Sequence, residues 1–136
     1  MFRLLKEIYL TGFTLLFRLS RSKKIGYKVG GACAVLTLVE WFNLLNISSW
    51  IDILSGKQVL PPFSEPEVLL AFFALGFLNI YVLFVRGHGI AFEREFDKLG
   101  KSRRILLMVS CVVLLLATIA FSIYSTSAYH RFFHIK

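Results

Sequence analysis

Glu40 stands inside a long apolar run, about twelve residues past Lys28. At ~1.5 Å of rise per helical residue it falls near the midplane of a bilayer crossed by that run. An ionised carboxylate at that depth costs about 2.5 to 3.5 kcal/mol on insertion scales, so Glu40 is expected to be protonated, paired or turned to a wet interior. Thr37 and Asn43 lie one turn to either side and Asn46 extends the polar stripe. Asn79 in a second apolar run, and Ser110 and Thr118 in a third, supply candidate partners. Counted from the basic ends of the runs, Thr118 falls level with Glu40 and Asn79 nearer the inner side. Three chemistries fit such a stripe. A ring of carboxylates in an oligomer favours cations along a conduction path, a lone carboxylate serves a proton-linked transport step, and polar side chains glue helices together at about 0.6 to 2 kcal/mol per hydrogen bond. Three runs are too few to enclose a pore, so the first two readings require assembly.

The other chemistry-bearing residues form no catalytic pattern. Gly26, Gly30 and Ala34 recur every four residues, a spacing that stacks small side chains into a groove for a second helix. His130 and His134 share a helical face, yet no third ligand accompanies them, so they read as solvated or interfacial. His88 lies between two glycines and reads as loop. Cys33 and Cys111 fall inside apolar runs and match no metal spacing, which suits small buried hydrophobes. Asn46-Ile47-Ser48 matches a glycosylation acceptor but lies within a span. The sequence holds no phosphate-binding glycine loop, no HExxH and no serine elbow, so neither an enzyme nor a cofactor is expected.

The elements that position these residues follow from composition. Of 136 residues, 57% are hydrophobic and 18% charged, a balance that a water-soluble fold of this size cannot hide. Crossing ~30 Å of hydrocarbon takes about 20 apolar helical residues, and residues 29–50, 67–85 and 105–127 meet that length. The expected fold is an all-α membrane protein with three transmembrane helices in a single membrane domain. Thirteen of the sixteen Lys and Arg lie before the first span or between the second and third. Positive charge is retained on the cytoplasmic side, so the N-terminus and the 86–104 loop are expected inside, and the first loop and the 128–136 tail outside. The formal net charge of +8 then reflects topology and attraction to an anionic inner leaflet rather than nucleic acid.

Residues 1–20 are interrupted by Lys6, Glu7 and Arg18 and do not read as a cleavable signal. At 100° per residue, Arg3, Glu7, Thr11, Thr14 and Arg18 share one face, and Leu5, Ile8, Tyr9, Phe13, Leu16 and Phe17 cover most of the rest. That pattern predicts an interfacial amphipathic helix lying apolar side down, with Leu10 out of place on the polar face. Pro61, Pro62 and Pro66 stop the first span and Ser64 or Glu65 caps the second, which makes a tight helical hairpin. Phe92, Phe96 and Leu99 give the 86–104 loop an amphipathic segment that rests on the membrane or on the N-terminal helix.

The layout, carried by the stretch from Phe72 through Phe96 to Phe121, resembles small three-span bacterial inner-membrane proteins with a basic N-terminal helix. In size and span count it is also similar to colicin-type immunity proteins and small phage-defence membrane effectors. The resemblance implies a bacterial inner-membrane location and brings no activity with it. The functional expectation is a non-enzymatic protein that acts through helix association, as a membrane-perturbing or pore-forming homo-oligomer or as a small subunit of a membrane complex. The alternatives are an immunity protein that binds a toxin in the membrane, or a component of a proton- or ion-coupled transporter.

Overall fold

The computed structural model describes residues 1–59 and 65–134. Within them the regular elements are all helical: α1 (Phe2–Leu19), α2 (Ile25–Ser55), α3 (Pro66–Ile80, continued by a π turn at Tyr81–Val85), α4 (His88–Phe96) and α5 (Lys101–His134). Three stretches, Ile25–Ser55, Pro66–Val85 and Lys101–His134, are long and apolar enough to cross a membrane and mark a multi-pass membrane protein. Each contains one of the expected spans. The first and third run on as helix past the apolar core at both ends, because no proline or glycine stops them there.

Local chemistry ends the helices. Gly56 takes the left-handed conformation, φ 68°, that closes α2. Pro66 occupies the first turn of α3 with Glu67 beside it, and Glu65 holds the N-cap position without a side-chain bond. Pro61, Pro62 and Ser64 lie outside the described residues. At the other end of α3 the Arg86 N–H donates to the Tyr81 carbonyl at 2.8 Å, a five-residue spacing that widens the last turn. Gly87, at φ 71°, then reverses the chain into α4.

Register fixes how the three long helices lie. Asn43 meets Thr118, Asn46 meets Ser122 and Trp50 meets Ser125, pairs 75 or 76 residues apart. A constant difference means that α2 and α5 run parallel, as a first and third pass must. Trp41 packs edge-on against Phe72 at 5.5 Å, and Gly76 faces Thr37, so α3 runs antiparallel to α2. Both α3 and α5 pack on α2 and not extensively on each other. The result is a three-helix layer centred on α2.

The inward face of α1 is set by its packing on α2. Thr11, Thr14 and Phe13 are fully enclosed and Leu10 is 6% exposed. The face expected to meet water is therefore the packed one, and Leu10 is no exception to it. Threonine survives there because its hydroxyl bonds its own helix: Thr11 donates to the Glu7 carbonyl at 2.7 Å and Thr14 to the Leu10 carbonyl at 3.0 Å. With its hydroxyl so satisfied, each threonine presents a methyl group outward. Leu10 and Phe13 join Val29, Ala32, Cys33 and Leu83 in one core cluster. Thus α1 packs between the ends of α3 and α5 against α2, and Leu4 and Leu5 of its first turn stay exposed. The Lys and Arg residues gathered here make this the basic end of the layer.

The segment 88–96, expected as loop around His88, is a helix docked on α1. Gly89 is buried there because a Cβ would lie 2.8 Å from the Phe13 ring and 3.0 Å from the Leu83 carbonyl oxygen. Gly89→Ala is expected to cost about 1–3 kcal/mol through overpacking. Gly100→Ala, where a Cβ would meet nothing within 4 Å, should leave stability unchanged. Thermal unfolding of both variants in detergent compares them, and equal melting temperatures would contradict the close approach.

Candidate functional site

The polar stripe resolves into two sets of hydrogen bonds on opposite sides of α2. In the first, Asn79 is 4% exposed and uses its whole amide. Its Nδ2 donates to Glu40 Oε2 at 2.8 Å and to Thr37 Oγ1 at 2.9 Å, and its Oδ1 accepts from the Tyr9 hydroxyl at 2.5 Å. Thr37 passes its own proton to the Cys33 carbonyl at 2.7 Å. One side chain thereby ties α1, α2 and α3 together.

Depth counting placed Asn79 nearer the inner side than Glu40, yet the two meet. Side chains lean toward the N-terminus of their own helix. Because α2 and α3 are antiparallel, Glu40 leans toward the basic end and Asn79 away from it, and the two close the gap between their backbones. Tyr9 was read as apolar surface of a membrane-lying helix. Its hydroxyl instead completes the cluster, and burial, with the Glu40 charge adding to it, raises its pKa above the ordinary phenol value.

The second set joins α2 to α5. Asn43 Nδ2 donates to Thr118 Oγ1 at 3.2 Å, Asn46 Nδ2 to Ser122 Oγ at 2.8 Å, and Trp50 Nε1 to Ser125 Oγ at 2.9 Å. Thr118 therefore partners Asn43 rather than Glu40. Gln58 Nε2 reaches the Tyr129 hydroxyl at 2.8 Å and continues the seam. Ser122 and Ser125 were absent from the sequence reading, although their four- and three-residue spacing after Thr118 put all three on one face. Ser110 stays outside both sets and donates to the Leu106 carbonyl at 2.7 Å. Asn46 is 5% exposed and engaged, which removes it as a modification acceptor.

No buried polar side-chain atom among the described residues lacks a partner. Such internal satisfaction is what hydrocarbon demands of a packed helix layer. It leaves the stripe acting as interhelical glue, with Glu40 half-buried as a hydrogen-bond acceptor.

The small-residue row behaves in the opposite way. No atom comes within 4 Å of a Cβ built at Gly26 or Gly30, and Ala34 is exposed. Gly30 and Ala34 form part of an open-sided groove of about 280 Å³ between α2 and α3, with Gly76 opposite and Phe73, Phe77 and Ile80 as its wall. Among the described residues no side chain fills it. His130 and His134 stand 5.2 Å apart, ring to ring, near the end of α5. Among the described residues no three His, Cys, Asp or Glu side chains converge as metal ligands. Cys33 and Cys111 are both free thiols, and Cys111 Sγ lies 3.2 Å from the Ile8 carbonyl.

Ion pairs clamp α1 at the basic end. Arg103 grips Glu7 with Nη2 at 2.6 Å, and Arg3 adds a contact at 3.3 Å. Arg18 pairs with Glu93 at 3.1 Å and with Asp97 at 3.0 Å, its guanidinium 5.4 Å from the Phe96 ring centre. The Arg103 hydrogen bond holds the Glu7 carboxyl below its ordinary value, and the Arg18 hydrogen bond does the same for Asp97. No protein family, curated protein or solved structure matches this chain.

Two outcomes test this geometry. Asn79→Leu removes three interhelical bonds and leaves Tyr9 and Glu40 without that partner, so stability should fall by about 2 kcal/mol, whereas Tyr9→Phe should cost less than ~1 kcal/mol. Reversible unfolding in bicelles measures both, and equal losses would discount Asn79 as the hub. The depressed carboxyls of Glu7 and Asp97 stabilise the α1 clamp above their ordinary pKa values of 4.5 and 3.8. That contribution fades as the pH falls through the lowered folded values. Protection of the α1 amides, taken relative to their intrinsic exchange rate at each pH, should therefore fall on acidification, and Glu7→Gln should lower it already at neutral pH.

Proposed function

We propose that this chain is a non-enzymatic membrane protein that works by associating with other transmembrane helices, as a homo-oligomer or as a small subunit of a larger membrane complex. The observation that carries this reading is the α2–α3 groove. Gly30, Ala34 and Gly76 form a shallow apolar channel at the level of the long helices, and among the described residues no side chain occupies it. Small residues let helix backbones approach closely, and close approach is a main source of helix affinity where hydrocarbon surrounds both partners. The outer faces of α3 and α5 are almost wholly exposed and apolar, which leaves room for neighbours on both edges of the layer.

The same geometry weighs against the stripe as a conduction path. Pore-lining groups must be open to water, whereas Asn43, Asn46 and Asn79 are spent on partners within the chain. A proton-coupled step would use Glu40, and here Asn79 holds that carboxylate against α3. In the orientation favoured by the basic residues, α1, α4 and the ion-pair clamp face the cytoplasm, with the bacterial inner membrane as the expected location.

Assembly state in nanodiscs tests the proposal. Wild-type chain should run as an oligomer or co-purify with a membrane partner, and Gly30→Leu with Ala34→Leu should reduce that assembly at least about fivefold, a coupling of ~1 kcal/mol. Glu40→Leu, which alters only internal glue, should lower stability without changing stoichiometry. A monomer that keeps no partner, in both wild type and groove variant, would remove this reading.

A further inference from the structure

Charge at the basic end is unevenly settled. Four acidic residues lie there, Glu7, Glu93, Glu95 and Asp97, and each is already engaged by Arg3, Arg18, Lys98, Arg103 or Arg104. Among the described residues the remaining bases at this end have no acidic partner within ion-pair distance. Four of them, Arg21, Lys23, Lys24 and Lys28, crowd into eight consecutive residues between α1 and the first turn of α2. No acidic residue stands in that first turn. The acids of the elements packed nearby, Glu7 on α1 and Glu93 and Asp97 at α4, are turned to Arg103 and Arg18. Lys24 and Lys28 cover aromatic rings at 5.9 and 5.1 Å, of Tyr27 and Phe17.

Large apolar side chains are interleaved with these bases. Leu19 is 75% exposed, Ile25 52% and Tyr27 69%. An aqueous surface gains nothing from that mixture, whereas the headgroup layer of a bilayer suits both parts of it: apolar groups and the tyrosine ring enter the acyl boundary while lysine stems extend to phosphates. The strip also leads into a helix that is long and apolar enough to cross a membrane, whose ends meet the headgroup layer when it does.

We propose that the strip from Leu19 to Lys28 is a binding surface for anionic phospholipid, in which Arg21, Lys23 and Lys24 hold the headgroup phosphate and Leu19, Ile25 and Tyr27 enter the acyl boundary. Uncompensated charge selects the occupant. An acidic protein segment would satisfy the bases but not the apolar groups, and a second copy of the strip would bring like charges together. This surface is separate from the α2–α3 groove and does not depend on which helix fills it.

Native mass spectrometry of the full chain, extracted in mild detergent and titrated with phosphatidylglycerol or phosphatidylcholine, reads the preference directly. Each base near an anionic surface contributes about 1 kcal/mol, so Arg21→Gln, Lys23→Gln and Lys24→Gln together should lower the preference for phosphatidylglycerol by about tenfold or more. Arg94→Gln with Lys101→Gln, also without acidic partners at the same end, should change it less than about threefold. Leu19→Ser with Tyr27→Ser should weaken retention of phosphatidylglycerol while the charge is intact. Equal loss in the two charge variants would reduce the effect to bulk charge and overturn the site, as would displacement of the lipid by inorganic phosphate at the concentration that displaces it from the charge control. Failure to assemble in nanodiscs leaves these ratios measurable, so the groove and the lipid surface fall separately.

Discussion

The amide of Asn79 is the constraint on which the arrangement turns. An asparagine enclosed between apolar helices must spend both donors and its acceptor inside the protein, since its apolar surroundings offer them no other partner. It does so on Glu40 and Thr37 of α2 and on Tyr9 of α1. Three elements must therefore meet at one level, and the placement of α1 follows. Once the Tyr9 hydroxyl is fixed beside α3, the next two turns of α1 have to pass through the core, and Leu10 and Phe13 pack on Val29, Ala32 and Leu83. The Arg18 and Glu7 ion pairs at its two ends then close what packing has already positioned. Exposed pairs of this kind add little on their own.

On the other side of α2 the seam with α5 uses weaker groups in greater number. Three hydrogen bonds recur at nearly constant register, and the Trp50 indole lies stacked against Phe121 and Tyr124 at 6.4 and 5.9 Å. None of these contacts would fix orientation alone, but a helix pair in which several successive turns match cannot slide without breaking all of them. The layer is thus held on one edge by a single satisfied hub and on the other by a repeated ladder. The edge strength differs in kind, and so does the room left over. Small residues line the α2–α3 contact and leave a groove, while larger partners fill the α2–α5 contact.

How far the sequence disclosed this is visible residue by residue. The apolar runs at 29–50, 67–85 and 105–127 are composition effects, and the helices appear where that composition demands them. The polar stripe of Thr37, Glu40, Asn43 and Asn79 was legible because polar residues in apolar runs need partners. The pairing was not legible, since depth counted along a helix ignores the lean of side chains, which in antiparallel helices moves two groups toward each other. The burial of α1 was missed for a related reason. A helical wheel scores threonine as polar, although a threonine bonded to its own backbone offers a methyl group to its neighbours. Leu10, which broke the expected amphipathic pattern, belongs to the face of α1 that packs on the layer. Gly89 was illegible outright, because only the close passage of Phe13 gives that glycine its reason.

These features place the adaptable parts of the molecule where polar demands are already met. A membrane protein with an unsatisfied carboxylate at midspan would be committed to whatever partner relieves it, and its stability and its assembly would be one quantity. Here one carboxylate oxygen of Glu40 accepts from Asn79 within the chain, while the apolar groove of about 280 Å³ is lined mostly by other residues. Association through small residues and dispersion is weak per contact and reversible. The ion pairs settle the acids at the basic end and leave a surplus of cations there, a field that favours anionic over cationic neighbours.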